Sequence, residues 1–118
     1  MGSFFVRKYI TVFGNRINGV ILLGTGNYTF IEAAAGRTLA VILGKMKGNH
    51  YRSWLLYQLM LGSMNRRIAN VRTPHDWLSR NTDIVDAYEK DELCQFRFTT
   101  SACNDLFQIL AELAAKIF

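Results

Sequence analysis

Residues 17–24 read Ile-Asn-Gly-Val-Ile-Leu-Leu-Gly, and this stretch decides the fold class. Within it, residues 20–23 are four apolar residues with no polar residue between them. A continuous apolar run of this kind predicts a β-strand buried on both faces, as in the centre of a parallel sheet. The nearest similar stretch, residues 95–100, alternates polar and apolar residues and predicts a weak strand. The sequence therefore predicts one central strand whose sheet partners lie outside the chain.

Helical patterns surround this strand. In residues 3–13, apolar side chains recur at helical spacing around most of the circumference, and Gly14 and Asn15 predict the end of that helix. Residues 45–51 are predicted as a polar loop. Downstream we predict helices over 28–43 (ending at Gly44), 54–64 and 82–90, one turn around Trp77, and a final helix capped by Ser101 or Asn104. The expected fold class is α/β, mostly helical, with most of residues 28–118 in helices.

Composition excludes several classes of protein. The chain has 118 residues, of which 50% are hydrophobic and 19% are charged, so it suits one ordinary domain and excludes intrinsic disorder, a collagen-like chain and a coiled coil. Two cysteines, Cys94 and Cys103, cannot form a disulfide-dense scaffold. His50 and His75 lie apart in polar stretches, so we expect both on the surface and expect no metal site.

A nucleotide cofactor is not expected either. Gly24-Thr25-Gly26 precedes a predicted helix, but the dinucleotide pattern requires a third glycine where Thr29 stands. We therefore expect no cofactor.

Charge is distributed unevenly along the chain. Residues 1–72 contain ten Lys or Arg and one acidic residue, whereas residues 73–118 contain four Lys or Arg and eight acidic residues. The basic half leaves open a small helical module that binds nucleic acid or an anionic membrane, or simply a basic face on a larger fold. Neither a signal peptide nor an apolar run of about 20 residues is present, so we expect a cytoplasmic protein without a membrane span.

The start of the chain carries a resemblance. Met1-Gly2-Ser3, followed by a buried helix and then by a parallel strand, resembles the second half of a nucleophile elbow, the G-x-S-x-G turn of α/β-hydrolases. In the lysophospholipase and monoacylglycerol-lipase-like branch of that superfamily, also called serine aminopeptidase-like, the elbow commonly reads Gly-His-Ser-Met-Gly-Ser. Segments 50–53, 62–65, 76–80 and 91–100 resemble the helical cap of bacterial members. The chain is thus similar to a fragment of that family, running from the elbow through the cap.

The resemblance implies a fold and a function. Residues 1–27 would belong to the hydrolase core and residues 28–118 to the helical cap, or lid. Members of the branch hydrolyse lipid-like esters, such as lysophospholipids or monoacylglycerols, with a Ser-His-Asp triad and without a cofactor or nucleic acid. The nucleophile would lie just before Met1, and the triad Asp and His would follow the cap, so the isolated chain is expected to be inactive.

The same resemblance assigns partial roles to residues that are present. The backbone N–H of Met1 would be an oxyanion-hole donor in the full-length family, and Gly2 would be the second glycine of the elbow. Trp54, Met60 and Met64 are candidates for the acyl pocket, although each could equally be packed in the core. A further possibility is a helical subunit that completes its strand on a partner chain. We also expect self-association through the exposed strand.

Overall fold

Helices dominate the computed structural model, which describes residues 1–116. Within that range the α-helices are α1 (Gly2–Phe13), α2 (Phe30–Lys47), α3 (Trp54–Leu61), α4 (Thr82–Lys90) and α5 (Thr100–Ala115). Single 3₁₀ turns occupy Gly14–Arg16, Met64–Arg67 and Asp76–Leu78. None of the described helices is long and apolar enough to cross a membrane.

The core lies between α2 and α5. Small residues on α2, including Ala33, Gly36 and Ala40, are buried and let the two helices approach closely. On the facing side of α5, Phe107 is 2% exposed and its ring fills the space over Gly36. Leu56 of α3 completes this cluster. The buried surface is therefore that of one helix pair with a third helix against it.

The link between α2 and α3 is fastened to the start of α5. The backbone N–H of Thr100 donates to the carbonyl of Tyr51 at 2.8 Å, and that of Ser101 donates to the carbonyl of Asn49 at 3.2 Å. The Thr100 hydroxyl lies 2.9 Å from the carbonyl oxygens of both Gly48 and Asn49. Because Thr100 is buried, these bonds satisfy its own N–H and hydroxyl and fasten the link to the start of α5.

Helix α1 packs along α5 by one side only. Lys8 forms an ion pair with Glu112 of α5. Phe4 meets the ring of Tyr28 edge-on, with centroids 6.2 Å apart. The guanidinium of Arg7 donates to the carbonyl of Gly26 at 3.3 Å. These contacts connect α1 to both the extended segment before α2 and the end of α5.

Residues 17–24 do not form the predicted strand in this structure. They follow the 3₁₀ turn as an irregular segment with bends at Asn18 and Gly24, and no β-strand occurs in residues 1–116. Ile21 and Leu23 are 87% and 86% exposed and Leu22 is only half-buried, so the predicted burial on both faces is absent. The physical reason is that a strand needs a neighbouring backbone to receive its hydrogen bonds, and none of the described residues provides one.

The predicted helices are present, with shifted ends. Helix α2 continues past Gly44 to Lys47, three residues into the predicted loop, and the N–H of Gly48 closes its last turn onto the carbonyl of Gly44. Helix α5 begins at Thr100 with Thr99 as its cap, earlier than the predicted caps. The predicted turn around Trp77 and the helix over 82–90 are confirmed.

The chain exposes more surface than a compact domain of its length. Its radius of gyration is 16.2 Å, whereas about 13.5 Å is typical of a compact domain of this length. Its accessible surface is 8660 Å², whereas a globular monomer of 13.5 kDa exposes about 6500 Å². The excess of about 2100 Å² is larger than the total area of a standard protein interface, about 1600 Å².

Candidate functional site

The two residues predicted for the elbow, Met1 and Gly2, are exposed. Met1 immediately precedes α1 and its carbonyl accepts the N–H of Phe4 at 2.9 Å, while Gly2 is the first helical residue. A Cβ at Gly2 would meet no atom within 4 Å. In a nucleophile elbow, glycine avoids a clash between a side chain and the neighbouring residues. None of the described residues lies close enough to Gly2 to cause such a clash. The roles of Met1 and Gly2 therefore stay predictions.

The three acyl-pocket candidates do not surround a common cavity. Met60 packs against Cys103, with their sulfur atoms 3.8 Å apart, at a cavity of only about 10 Å³. Trp54 is 56% exposed and Met64 is 45% exposed. In this structure Met60 therefore belongs to the core, and the other two are available to contact something beyond the described residues.

Two of the serines have local structural roles. The hydroxyl oxygen of Ser53 accepts the N–H of Leu56 at the start of α3, and that of Ser79 accepts the N–H of Asn81 before α4. Ser3 lies in the first turn of α1. Among the described residues no serine hydroxyl bonds to a histidine, so this part of the chain holds no Ser-His pair.

His75 lies at the centre of a buried hydrogen-bonded set, contrary to the surface position that we predicted. It is 8% exposed. Its Nδ1 lies 2.7 Å from Oε1 of Glu89 on α4, and its Nε2 lies 2.8 Å from the hydroxyl of Tyr57 on α3. The Tyr88 ring packs against the imidazole, with centroids 5.0 Å apart. His50, by contrast, is exposed as predicted.

The electrostatics of this set follow from its hydrogen bonds. The bond from His75 holds the pKa of Glu89 below its ordinary value, and the side-chain amide of Gln95 assists by donating to the other carboxylate oxygen at 3.0 Å. Burial raises the pKa of Tyr57. The imidazole Nδ1 can donate to the Glu89 carboxylate, while Nε2 and the Tyr57 hydroxyl share the second hydrogen bond.

This set fixes tertiary structure. Tyr57, His75 and Glu89 come from three different segments, so the two hydrogen bonds join α3, the turn before α4, and α4 itself. The base–carboxylate half resembles triad chemistry, but the group on Nε2 is a phenol with a raised pKa, which is a poor nucleophile at neutral pH. We therefore assign the set a structural role.

Sequence reasoning missed this set because its members are far apart in the chain. Tyr57 and Glu89 lie 18 and 14 residues from His75. No periodicity links residues at such separations, and a polar stretch around a histidine normally predicts exposure. Among the described residues, no group of three or more histidine, cysteine or acidic side chains could hold a metal ion.

The comparisons with known proteins identify the family. A family model described as serine aminopeptidase, S33, matches residues 1–117. The chain belongs to this family of the α/β-hydrolase superfamily, as the resemblance at its start predicted. Neither the curated proteins nor the solved structures contain a significant match.

Proposed function

We propose that this chain supplies the elbow helix and the helical cap of a serine ester hydrolase. In this proposal the nucleophile and the catalytic Asp and His come from residues outside the chain. One observation carries it: a match to the hydrolase family over residues 1–117 coexists with the lack of any Ser-His pair in residues 1–116. A hydrolase of this type needs a nucleophile in contact with a base.

The exposed apolar surface supports the proposal. An apolar groove of about 590 Å³ runs along the outer side of α1, and the large side chains that line it include Phe5, Tyr9 and Val12, all about half exposed. Ile21 and Leu23 in the adjacent extended segment are almost fully exposed. Exposed apolar patches on a protein surface often mark a contact with another part of the protein or a partner.

The exposed apolar residues of α1 and of residues 17–24 suggest how the chain divides into two parts. We assign residues 1–27 to the hydrolase core, in which residues 17–24 become a strand once neighbouring strands donate and accept their backbone hydrogen bonds. Residues 28–118 form the cap. The helix pair α2–α5 has its own buried core, which supports a cap that holds its shape over an active site.

The proposed substrate is a lipid-like ester, such as a monoacylglycerol or a lysophospholipid. The exposed Trp54 and Met64 would face the acyl chain, and Met60 would stiffen the helix that carries Trp54. In the complete enzyme the N–H of Met1 would donate to the developing oxyanion, and Gly2 would keep the elbow turn free of a side chain. We place the enzyme in the cytoplasm.

A chimera tests this function. Residues 1–117 would replace the matching segment of an active member of the family, so that the host supplies the serine before Met1 and the later Asp and His. We expect the chimera to hydrolyse a monoacylglycerol, and we expect the 118-residue chain alone to be inert, since loss of a triad serine costs on the order of 10⁶-fold in kcat.

The matched control is the same chimera with its host nucleophile changed to alanine. Activity that persists in that control, or a folded chimera that cleaves peptides and not esters, would contradict the proposal. Substituting Trp54→Ala in the chimera should raise KM for long acyl chains more than for short ones, whereas an equal effect on both would remove Trp54 from the pocket.

A further inference from the structure

A cleft of about 760 Å³ separates the loop after α3 from the segment that leads into α4. Arg67 and Arg72 line it from the loop, and Trp77, Arg80 and Thr82 line it from the other side. Its volume is in the range of small-molecule sites. None of its lining residues belongs to the proposed acyl pocket or elbow.

The charge of the cleft is positive. Its lining contains three arginines and one carboxylate, that of Asp76. The Asp76 carboxylate is already engaged, because it accepts the backbone N–H groups of Arg72 and Thr73 at 2.5 and 3.0 Å and the Thr73 hydroxyl at 2.6 Å. These bonds hold the pKa of Asp76 below its ordinary value, so it stays ionised but is occupied within its own loop.

Two guanidinium groups remain without a carboxylate partner. Arg72 pairs with Asp86 of α4 at 2.8 Å, and this ion pair ties the loop to the helix. Within residues 1–116, no carboxylate lies within 4.0 Å of the side-chain nitrogens of Arg67 or Arg80. Both are exposed, so they can turn toward a ligand in the cleft.

Hydrogen bonds from Asn65 hold the wall of the cleft in place, and the indole N–H of Trp77 in that wall has no hydrogen-bond partner among the described residues. The backbone N–H of Trp77 donates to the side-chain oxygen of Asn65 at 3.0 Å, and the Asn65 amide donates to the carbonyl of Thr73 at 3.0 Å. The indole N–H of Trp77 is buried. A buried donor without an acceptor is rare and costly, so this N–H is sensitive to any ligand that changes the packing of the wall.

We propose that this cleft binds the phosphate group of a phosphate ester, held by Arg67 and Arg80 against the wall formed by Trp77. The planar guanidinium fork matches the oxygens of phosphate, and two forks from opposite sides suit a tetrahedral group with several oxygens better than a single carboxylate. The volume leaves room for a substituent on the phosphate. The source is either a soluble phosphate or the head group of a lysophospholipid, and the second source rests on the proposed esterase function.

The test uses ¹⁵N nuclear magnetic resonance of the 118-residue chain. The chain has two indole N–H signals, from Trp54 and Trp77, and the Trp54→Phe variant identifies the second. The ligands are inorganic phosphate, glycerophosphocholine as a soluble head group, and acetate and glycerol as controls, all at constant ionic strength. We expect a saturable shift of the Trp77 signal with the two phosphate ligands and none with the controls.

Arginine variants locate the site. Arg67→Gln and Arg80→Gln should each weaken binding about tenfold, the effect of losing one charged hydrogen bond. Arg52→Gln, an exposed arginine that does not line the cleft, is the matched control and should leave binding unchanged. Dispersed spectra for each variant show that it is folded.

The outcomes separate the alternatives. Tighter binding of glycerophosphocholine than of inorganic phosphate would assign the site to a lipid head group, and the reverse order would assign it to soluble phosphate. No saturable shift, an equal response to acetate, or an equal loss in Arg52→Gln would overturn the proposal. Because the readout is binding and not hydrolysis, its failure is distinct from an inactive chimera.

Discussion

Gly36→Ala should destabilise the helix pair, although alanine is normally the better helix former. A Cβ at Gly36 would lie 2.5, 2.6 and 2.8 Å from three carbons of the Phe107 ring. Phe107 is 2% exposed and cannot swing into solvent, so either its ring or the α2–α5 spacing must shift. Overpacking of this kind costs about 1–3 kcal/mol, and alanine returns about 1 kcal/mol of helix propensity.

The net expectation is a loss of about 1 kcal/mol, which lowers the Tm by about 4 °C in a domain of this size. The assay is thermal unfolding followed by far-ultraviolet circular dichroism in dilute solution. Gly44→Ala is the control on the same helix, because its added Cβ would lie 3.3 Å from the Asn49 side chain and 3.6 Å from Thr100. That variant should melt at or slightly above the wild-type temperature.

A second substitution tests the cause of the Gly36→Ala effect. Phe107→Leu should cost less in the Gly36→Ala background than in the wild type, since the smaller side chain makes room for the new methyl group. A Gly36→Ala variant that melts at or above the wild type, with no coupling to Phe107→Leu, would refute the close α2–α5 packing described here.

Three further predictions concern other parts of the chain. Glu89→Gln should lower the free energy of unfolding near neutral pH, because the folded protein holds the pKa of Glu89 below its ordinary value of 4.5. The difference in stability between wild type and variant should be fully present above pH 4.5 and should shrink as the pH falls through the lowered pKa. Parallel urea titrations check this, and a difference that does not change with pH would contradict it. Thr100→Val should cost about 1 kcal/mol by removing the contacts of the buried Thr100 hydroxyl with the carbonyl oxygens of Gly48 and Asn49, whereas the exposed Thr25→Val should cost little in the same titration; equal effects would refute the Thr100 contact. The isolated chain should self-associate in sedimentation velocity because of its exposed α1 face and residues 17–24, and a chain that stays monomeric at all concentrations would count against the proposed missing core.

The sequence predicted local structure well where local signals decide it. Helices α1, α3 and α4 show apolar spacing that acts within a few positions, and the side chains of Ser53 and Asn81 cap α3 and α4. The end of α2 was predicted at Gly44 because glycine usually stops a helix. The helix continues there because glycine is tolerated inside a packed helix, and α2 ends only where Gly48 adopts a positive φ of 93°.

Features that depend on distant residues could not be predicted. The apolar run at 20–23 is a strand signal, but pairing is a property of neighbours, and the described residues offer none. The burial of His75 depends on Tyr57 and Glu89, which no spacing rule connects to it. The short Met1-Gly2-Ser3 signature identified the family only together with the ordered segments after it, which the match over residues 1–117 confirms.

The central claim, that this chain belongs to a serine hydrolase yet lacks the nucleophile, is tested most directly by fluorophosphonate labelling and mass mapping. The chain alone and the chimera described above would be treated in parallel, each in native and denatured form. We predict no adduct on Ser3, Ser53, Ser63, Ser79 or Ser101 of the chain, and one adduct in the chimera on the host serine just before Met1. Stoichiometric labelling of any of those five serines that is abolished by denaturation would contradict the claim and show that the chain holds a catalytic site of its own.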